Sequence, residues 1–405
     1  MVTYPSDWTE SKLLDHVNLV QGLTYTPENV KPSGTLVLRS SNIQNGTLSL
    51  LDNVYVNVNV SEEKMVQPGD ILVCVRNGSS ALIGKSCILP RLYNTTFGAF
   101  MSVLRGDTTG FFAKLFESNI VQEQVRGRSN ATINQITKKD FQSIRVTVPD
   151  KPEQEEIART LSQFDTYIDD LAELIEKKRS IRDGALEDLM SGRTRLQGFT
   201  MDWIVYPFNK YFSLLPTNTF SRDQLSSKGQ VGNIHYGDVL IKYGDVLSDT
   251  DEIPRLKDTS RIKERSYLQI HDVLIADTAE DETVGKVVQV GKVSIPIVGG
   301  LHTVACRPIY ETAEGFLGYY MNSSLYHDQL YPYITGIKVS SVSKKSFGET
   351  ELCIPVEVEE QEAIVSVLKE MDEEIEALEI ERDKMIQIRE GAMDDLLTGR
   401  VRLSV

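Results

Sequence analysis

Cysteine is scarce in this chain. Four residues, Cys74, Cys87, Cys306 and Cys353, lie far apart with no CxxC pair. That spacing excludes a disulfide framework or zinc ribbon and leaves free buried thiols as the expectation. The five histidines, His16, His235, His271, His302 and His327, are equally isolated, with no HExxH and no cysteine partner, so no metal site is expected. No apolar run reaches the ~18–20 residues of a membrane span. The opening MVTYPSDWTE has no basic stretch followed by an apolar one, which makes a cytoplasmic protein without membrane contact the expectation. Excess positive charge is missing too: 43 Lys+Arg face 58 Asp+Glu, a net −15. A uniformly basic nucleic-acid binder is thereby excluded.

Catalytic signatures are poor. Gly78–Ser86, GSSALIGKS, resembles a phosphate loop, but five residues separate its glycines where the motif needs four. The second half of the chain has Val284-Gly285-Lys286-Val287 at the matching place, without the Mg²⁺-binding hydroxyl. Asp52 with Glu62-Glu63-Lys64 has the residue types of a metal nuclease, but chance is the better account. There is no glycine-rich cofactor loop and no Asn-Pro-Pro-aromatic motif. The chain is expected to catalyse nothing alone.

What the sequence does contain is a duplication. Residues 154–196 and 361–403 align without a gap at a constant offset of 207, with 18 of 43 positions identical. Ile157, Leu161, Phe164, Ile168, Leu171 and Ile175 step by fours and threes, as do Ile364, Leu368, Met371, Ile375 and Leu378. This is the a/d stripe of a helix that packs along another helix. Neither copy has proline, and each closes with Ser191-Gly192 or Thr398-Gly399, where glycine suits the left-handed turn that ends a helix. Arg193 and Arg400 then fall near the negative end of the helix dipole. The two stripes are expected to cover each other as an antiparallel pair, with Leu161 and Leu171 set around Ile375 and Leu368.

Further fragments repeat. Trp8 matches Trp203, GDILVCVR (69–76) matches HDVLIADT (271–278), and FFAKLFESN (111–119) resembles FLGYYMNSS (316–324). Asn42-Ile43 is matched to Asn233-Ile234, and Lys138-Lys139-Asp140-Phe141 to Lys344-Lys345-Ser346-Phe347. The order is globular unit, helix, globular unit, helix, with boundaries at 1–150, 151–196, 197–355 and 356–405. Runs of β-branched residues bounded by Gly, Asn, Asp and Pro make each globular unit a mixture of short strands and few helices. The fold class is therefore α+β: two duplicated mixed α/β domains separated by two long helices. The charge follows these divisions. Residues 1–150 hold 14 Lys+Arg against 13 Asp+Glu, whereas residues 356–405 hold 6 against 15. The acidic excess is concentrated on the second helix.

Two stretches carry a family resemblance. The helix starts read Pro152-Glu-Gln-Glu-Glu-Ile and Glu359-Glu-Gln-Glu-Ala-Ile, and both helix ends, Gly184–Leu196 and Gly391–Leu403, read GA-x-x-DL-x-[ST]-GR-x-RL. Each follows a unit ending in Val-Pro or Ile-Pro. The chain thus resembles the specificity subunits of type I DNA restriction–modification enzymes. The resemblance implies two target recognition domains that each bind half of a split double-stranded DNA sequence, with the helices as spacer. It also implies methyltransferase (modification) subunits and a restriction (motor-nuclease) subunit as partners. S-adenosylmethionine, ATP and Mg would be held by those partners and no cofactor by this chain.

Recognition residues vary within such a family, so candidates come from residue chemistry. Base readout needs Arg, Lys, Asn, Gln, Ser or Thr at base edges and cations on phosphates. In the first unit the candidates are Arg39, Ser40 and Asn42; Arg76, Asn77, Ser79 and Lys85; the basic loop Arg126, Arg128 and Asn130; and Lys138 with Lys139. In the second they are Asn233, His235, Thr278, Thr335, Lys338, Ser340, Ser341, Lys344 and Lys345. The acidic Asp277, Glu280, Asp281 and Glu282 either accept from cytosine amino groups or keep their loop off DNA. Two other readings stay open: a scaffold or dimerisation protein built on the helices, and an enzyme with an unrecognised site.

Overall fold

The computed structural model describes residues 3–128, 134–336 and 338–403. The chain divides into two compact units: Met1–Ala172 with Ile380–Val405, and Glu173–Glu379. The long helices, Lys151–Met190 and Val358–Thr398, therefore each give one part to either unit. Among the described residues, no helix is long and apolar enough to cross a membrane.

Each unit is built on a strand buried on both faces. In the first, Ile71–Cys74 lies between Met101–Arg105 and Ser86–Ile88, all antiparallel, with Asn18–Gln21 at one edge. Side chains alternate across a strand. Ile71 and Val73 accordingly join the cluster that includes Phe111, Phe116 and Leu161, whereas Leu72 and Cys74 join the one that includes Leu38, Phe97 and Val103. The second unit repeats this. Val273–Ala276 sends Val273 and Ile275 to the cluster with Phe316 and Leu368, and Leu274 and Ala276 to the cluster with Ile234 and Val288. Uninterrupted apolar runs are what a two-sided burial requires.

Each unit adds a second four-stranded sheet whose one parallel pair is equivalent in the two. Thr95–Phe97 runs beside Thr35–Leu38, and Ile297–Gly299 beside Gly232–Ile234. An antiparallel ribbon ties the start of each unit to its end: Thr9–Lys12 with Arg145–Val148, and Ile204–Pro207 with Glu351–Ile354.

The helix segments run antiparallel within each unit, and one ion pair sets the same register in both. Arg389 Nε meets Asp165 Oδ1 at 2.7 Å, and Arg182 Nε meets Asp372 Oδ1 at 2.8 Å. These four residues are identical between the two copies. Burial along the stripe differs from the expected helix-on-helix seam. Ile157 and Leu161 sit in the first core with Met393 and Leu396, well beyond Ile375; Leu368 sits in the second with Leu186 and Leu189. The helix ends are thus covered largely by the globular cores, and much of the stripe's apolar surface goes there. Ile380 remains 61% exposed.

The Glu-Gln and GR-x-RL motifs have a shared structural explanation. Glu360 is 1% exposed, accepts from Arg195 at 2.6 and 2.8 Å, and accepts from the Trp203 indole at 3.3 Å. Glu153, 2% exposed, does the same with Arg402 at 2.5 and 2.8 Å and Trp8 at 3.2 Å. Each guanidinium also lies over its indole, at 5.6 and 5.9 Å. The end of the second helix segment therefore closes the first unit. Hydrogen bonding to Arg402 also holds the Asp7 carboxyl below its usual range. The adjacent glutamines fix the turn before each helix, with Gln154 donating to Pro149 O and Gln361 to Pro355 O, both at 2.9 Å. Gly192 and Gly399 take positive φ at the helix ends, as their sequence context predicts. Arg193 pairs with Asp188 and Arg400 with Asp395.

Removing one partner from a buried pair leaves an uncompensated charge. Arg195→Met, which strands the fully buried Glu360 carboxylate, should lower stability by about 3 kcal/mol in urea unfolding, whereas Glu360→Gln, which leaves unpaired only the part-exposed Arg195 guanidinium, should cost less. Equal and small losses for both would contradict the clamp.

Candidate functional site

The strand that organises each unit runs out of its sheet into a rim, and the two rims are built by the same backbone bonds. In the first unit Val75 N and Arg76 N donate to Phe100 O at 2.9 and 3.1 Å, and Ile136 N donates to Val75 O at 2.9 Å. In the second, Asp277 N donates to His302 O at 3.2 Å and Val342 N to Asp277 O at 2.9 Å. Beside these, Gly98 N donates to Leu38 O and Gly300 N to Ile234 O, at 2.9 and 2.8 Å. The next turn is closed by Arg39 N on Asn42 Oδ1, at 2.8 Å, and by His235 N on Asp238 Oδ2, at 3.0 Å.

These bonds correct the sequence match of Asn42-Ile43 with Asn233-Ile234. Asn42 is the counterpart of Asp238, and Arg39 of His235. The dipeptide identity is coincidental, because the turn needs a side-chain acceptor that either Asn or Asp supplies.

The first rim gathers several expected residues. Asn77 donates to Ser40 Oγ at 3.1 Å, and its backbone N–H donates to Asn134 O at 3.1 Å. The Arg76 guanidinium lies 5.1 Å from the Phe100 ring centroid. Arg39 pairs with Asp52 at 2.7 Å, which accounts for that acid without a metal. Ser79 is exposed and Lys85 half-buried. Lys138 and Lys139 are exposed on the first turn of Lys138–Gln142, whose cap is Thr137. Asn42 is not at the surface: it is fully buried, and its amide donates to Ser49 O and Asp52 O.

The expected basic loop is a helix. Asn119–Arg128 carries Arg126 and Arg128 in its last turn, and Gly127 does not interrupt it. Arg128 is held by Ser143 Oγ at 2.7 Å, Ser143 O at 3.1 Å and Gln124 O at 2.8 Å. Asn130 lies outside the described residues.

The second rim gathers Thr278, Thr335, Ser340 and Ser341. Thr278 and Ala279 pair with Ser341 and Ser340, and Thr335 bridges to Ser341. Lys338, Lys344 and Lys345 are exposed. Asn233 and His235 are instead buried, at 0% and 3% exposure. Asn233 accepts from Asn218 at 2.7 Å, and burial pushes the His235 pKa down. Of the acidic group, Asp277 is half-buried beside His302, whereas Glu280, Asp281 and Glu282 are exposed.

Phe100 and His302 were not singled out by the sequence. Each is one ring between turn residues, without periodicity or a charged neighbour to mark it. Their equivalence emerges only from the backbone bonds. The phosphate-loop resemblance also fails structurally: a strand, Ser86–Ile88, follows the Lys85 position where a phosphate loop needs a helix. In the first unit a cavity of about 640 Å³ is lined partly by Lys114, Glu117, Asp165 and Arg389, and these charges are spent on one another.

Comparison with known proteins gives consistent results. Residues 5–179 match the family model described as the type I restriction modification DNA specificity domain. The EcoKI specificity subunit of Escherichia coli K12 is 27% identical over 290 residues, covering 67% of this chain and 61% of that protein. The StySPI specificity subunit of Salmonella potsdam is 28% identical over 182 residues, 43% of this chain and 39% of that protein. The matches thus span less than two thirds of either relative. The MjaVIII specificity subunit of Methanocaldococcus jannaschii is 21% identical, with 98% of this chain and 94% of that protein covered. The solved S subunit of a type I restriction–modification system from M. genitalium has the same fold. Its TM-score is 0.53 at 17% identity, over 96% of each chain.

Proposed function

We propose that the chain is a type I restriction–modification specificity subunit, like the relatives it matches, and that it reads a split double-stranded DNA sequence. Residues 1–150 and 197–355 are the two readers; residues 151–196 and 356–405 are the spacer. The observation that carries this reading is the pair of equivalent rims. The same backbone bonds set Ser40 and Arg76 at the rim of one unit and Tyr236 and Thr278 at the matching places of the other. One scaffold bearing different polar groups at matching places suits two half-sites of different sequence.

In this reading the chain is not itself an enzyme. Methyltransferase subunits supply the S-adenosylmethionine chemistry, a motor-nuclease subunit supplies ATP- and Mg-dependent cleavage, and the assembly works in the cytoplasm. Exposed lysines at the helix starts, Lys138, Lys139, Lys344 and Lys345, are placed on phosphates. Cations at such contacts give salt-dependent affinity without sequence information. The net acidic charge does not oppose this, because the excess lies on the second helix.

Exchange of residues 1–150 for the matching unit of a relative should alter one half of the recognised sequence and leave the other unchanged, read by methylome sequencing. Changes in both halves or in neither would contradict two independent readers. A second measurement concerns Arg126→Ala and Arg128→Ala in the assembled methyltransferase complex. If either arginine meets a phosphate, its loss should reduce the log–log salt slope by about one. If either meets guanine, its loss should cost ~1–3 kcal/mol at one base position. Wild-type affinity, slope and selectivity in both variants would remove this helix end from the interface.

A further inference from the structure

Phe100 and His302 occupy the same place in the two rims. Each carbonyl accepts from the organising strand, at Val75 and Arg76 in one unit and at Asp277 in the other. Each ring is turned out: Phe100 is 55% exposed, and the His302 side chain 49%. A phenylalanine this exposed wastes apolar surface unless something covers it.

Both rings are also held. Arg76 lies over Phe100 at 5.1 Å. His302 Nδ1 lies 3.4 Å from Asp277 Oδ1 and 3.3 Å from Thr278 Oγ1, and the Tyr236 ring meets it edge-on at 5.4 Å. His302 also adopts φ +54°, a conformation that a non-glycine residue adopts at an energetic cost. The strand end thus fixes one outward ring per unit.

We infer that Phe100 and His302 are specificity-determining residues, each reading one base of its half-site through the major groove. This rests on the DNA-reading function proposed above. The chemistry of each ring names its base. Phe100 has no hydrogen-bonding group, and the one apolar feature of the major-groove edge is the thymine methyl group. The Thr278 hydroxyl donates to Asp277 Oδ1 at 2.9 Å, so its oxygen accepts from His302 Nδ1–H at 3.3 Å, and in that tautomer Nε2 is the acceptor. An acceptor selects the exocyclic amino group of adenine or cytosine.

The test uses the full chain assembled with its modification subunit and a pool of randomised duplexes, for wild type, Phe100→Ala and His302→Ala. Phe100→Ala should relax one thymine position in one half-site, and His302→Ala one adenine or cytosine position in the other. Deoxyuridine in place of that thymidine should weaken wild-type binding about three- to fivefold, the worth of one covered methyl group, and leave Phe100→Ala unaffected. Urea midpoints check folding. If an alanine variant unfolds, Phe100→Ser, expected to lose the deoxyuridine sensitivity, and His302→Leu, expected to lose the adenine or cytosine preference, carry the test. A wild-type complex that selects one sequence, with every folded variant selecting it equally well, overturns the inference alone. A wild-type complex with no sequence preference overturns the underlying reading and the inference together.

Discussion

A buried carboxylate at the start of each long helix determines how the chain is connected. Glu153 and Glu360 would each be costly to bury alone. Each is satisfied by one arginine and one tryptophan from different parts of the chain. For Glu360, Arg195 and Trp203 come from the stretch that follows the first helix. For Glu153, Trp8 comes from the beginning of the chain and Arg402 from its far end. The same clamp therefore closes both units, although one closure is local and the other brings together residues nearly the whole sequence apart. The Arg182–Asp372 and Arg389–Asp165 pairs add a register to this connection. Both are part-buried and hydrogen-bonded through Nε, so a slipped register would separate both charges at once.

With the frame held this way, the rims can differ. Frame positions tolerate little change because each polar group has a buried partner. Rim positions need only keep their backbone bonds, so side chains there can change without loss of fold. This is why Phe100 can stand where the other unit has His302, and Arg76 where it has Thr278. Asn42 and Asp238 belong to the frame even though they lie close to the rim in sequence, since each caps a turn from a buried position.

The duplication, the α+β class and the long helices were legible in the sequence because they rest on periodicity and self-similarity, which need no tertiary information. The physical role of the repeated motifs was not legible. Glu153 and Arg402 are 249 residues apart, and no local pattern reveals that they meet. The antiparallel helix pair was legible, but not that the globular cores cover its ends: an apolar stripe announces that it is buried but not by what. The end of Asn119–Arg128 read as a loop because Gly127 and the serine and asparagine after Arg128 suggested a break. Val121 and Val125 nevertheless anchor that helix in the core. Asn233 and His235 were chosen for residue type, and type alone cannot distinguish a polar group at the rim from one buried behind it.

The central claim is that two units on one frame each read half of a split sequence. The most direct measurement is the affinity of the assembled complex for its preferred duplex when the base pairs between the half-sites are substituted, and when one is inserted. B-DNA turns once in about 10–10.5 base pairs, so one insertion rotates one half-site by roughly 35° relative to the other. The account predicts that substitutions in the gap leave affinity unchanged and that a single insertion abolishes preferential binding. Sensitivity to gap substitutions equal to that within the half-sites, or indifference to the insertion, would contradict it.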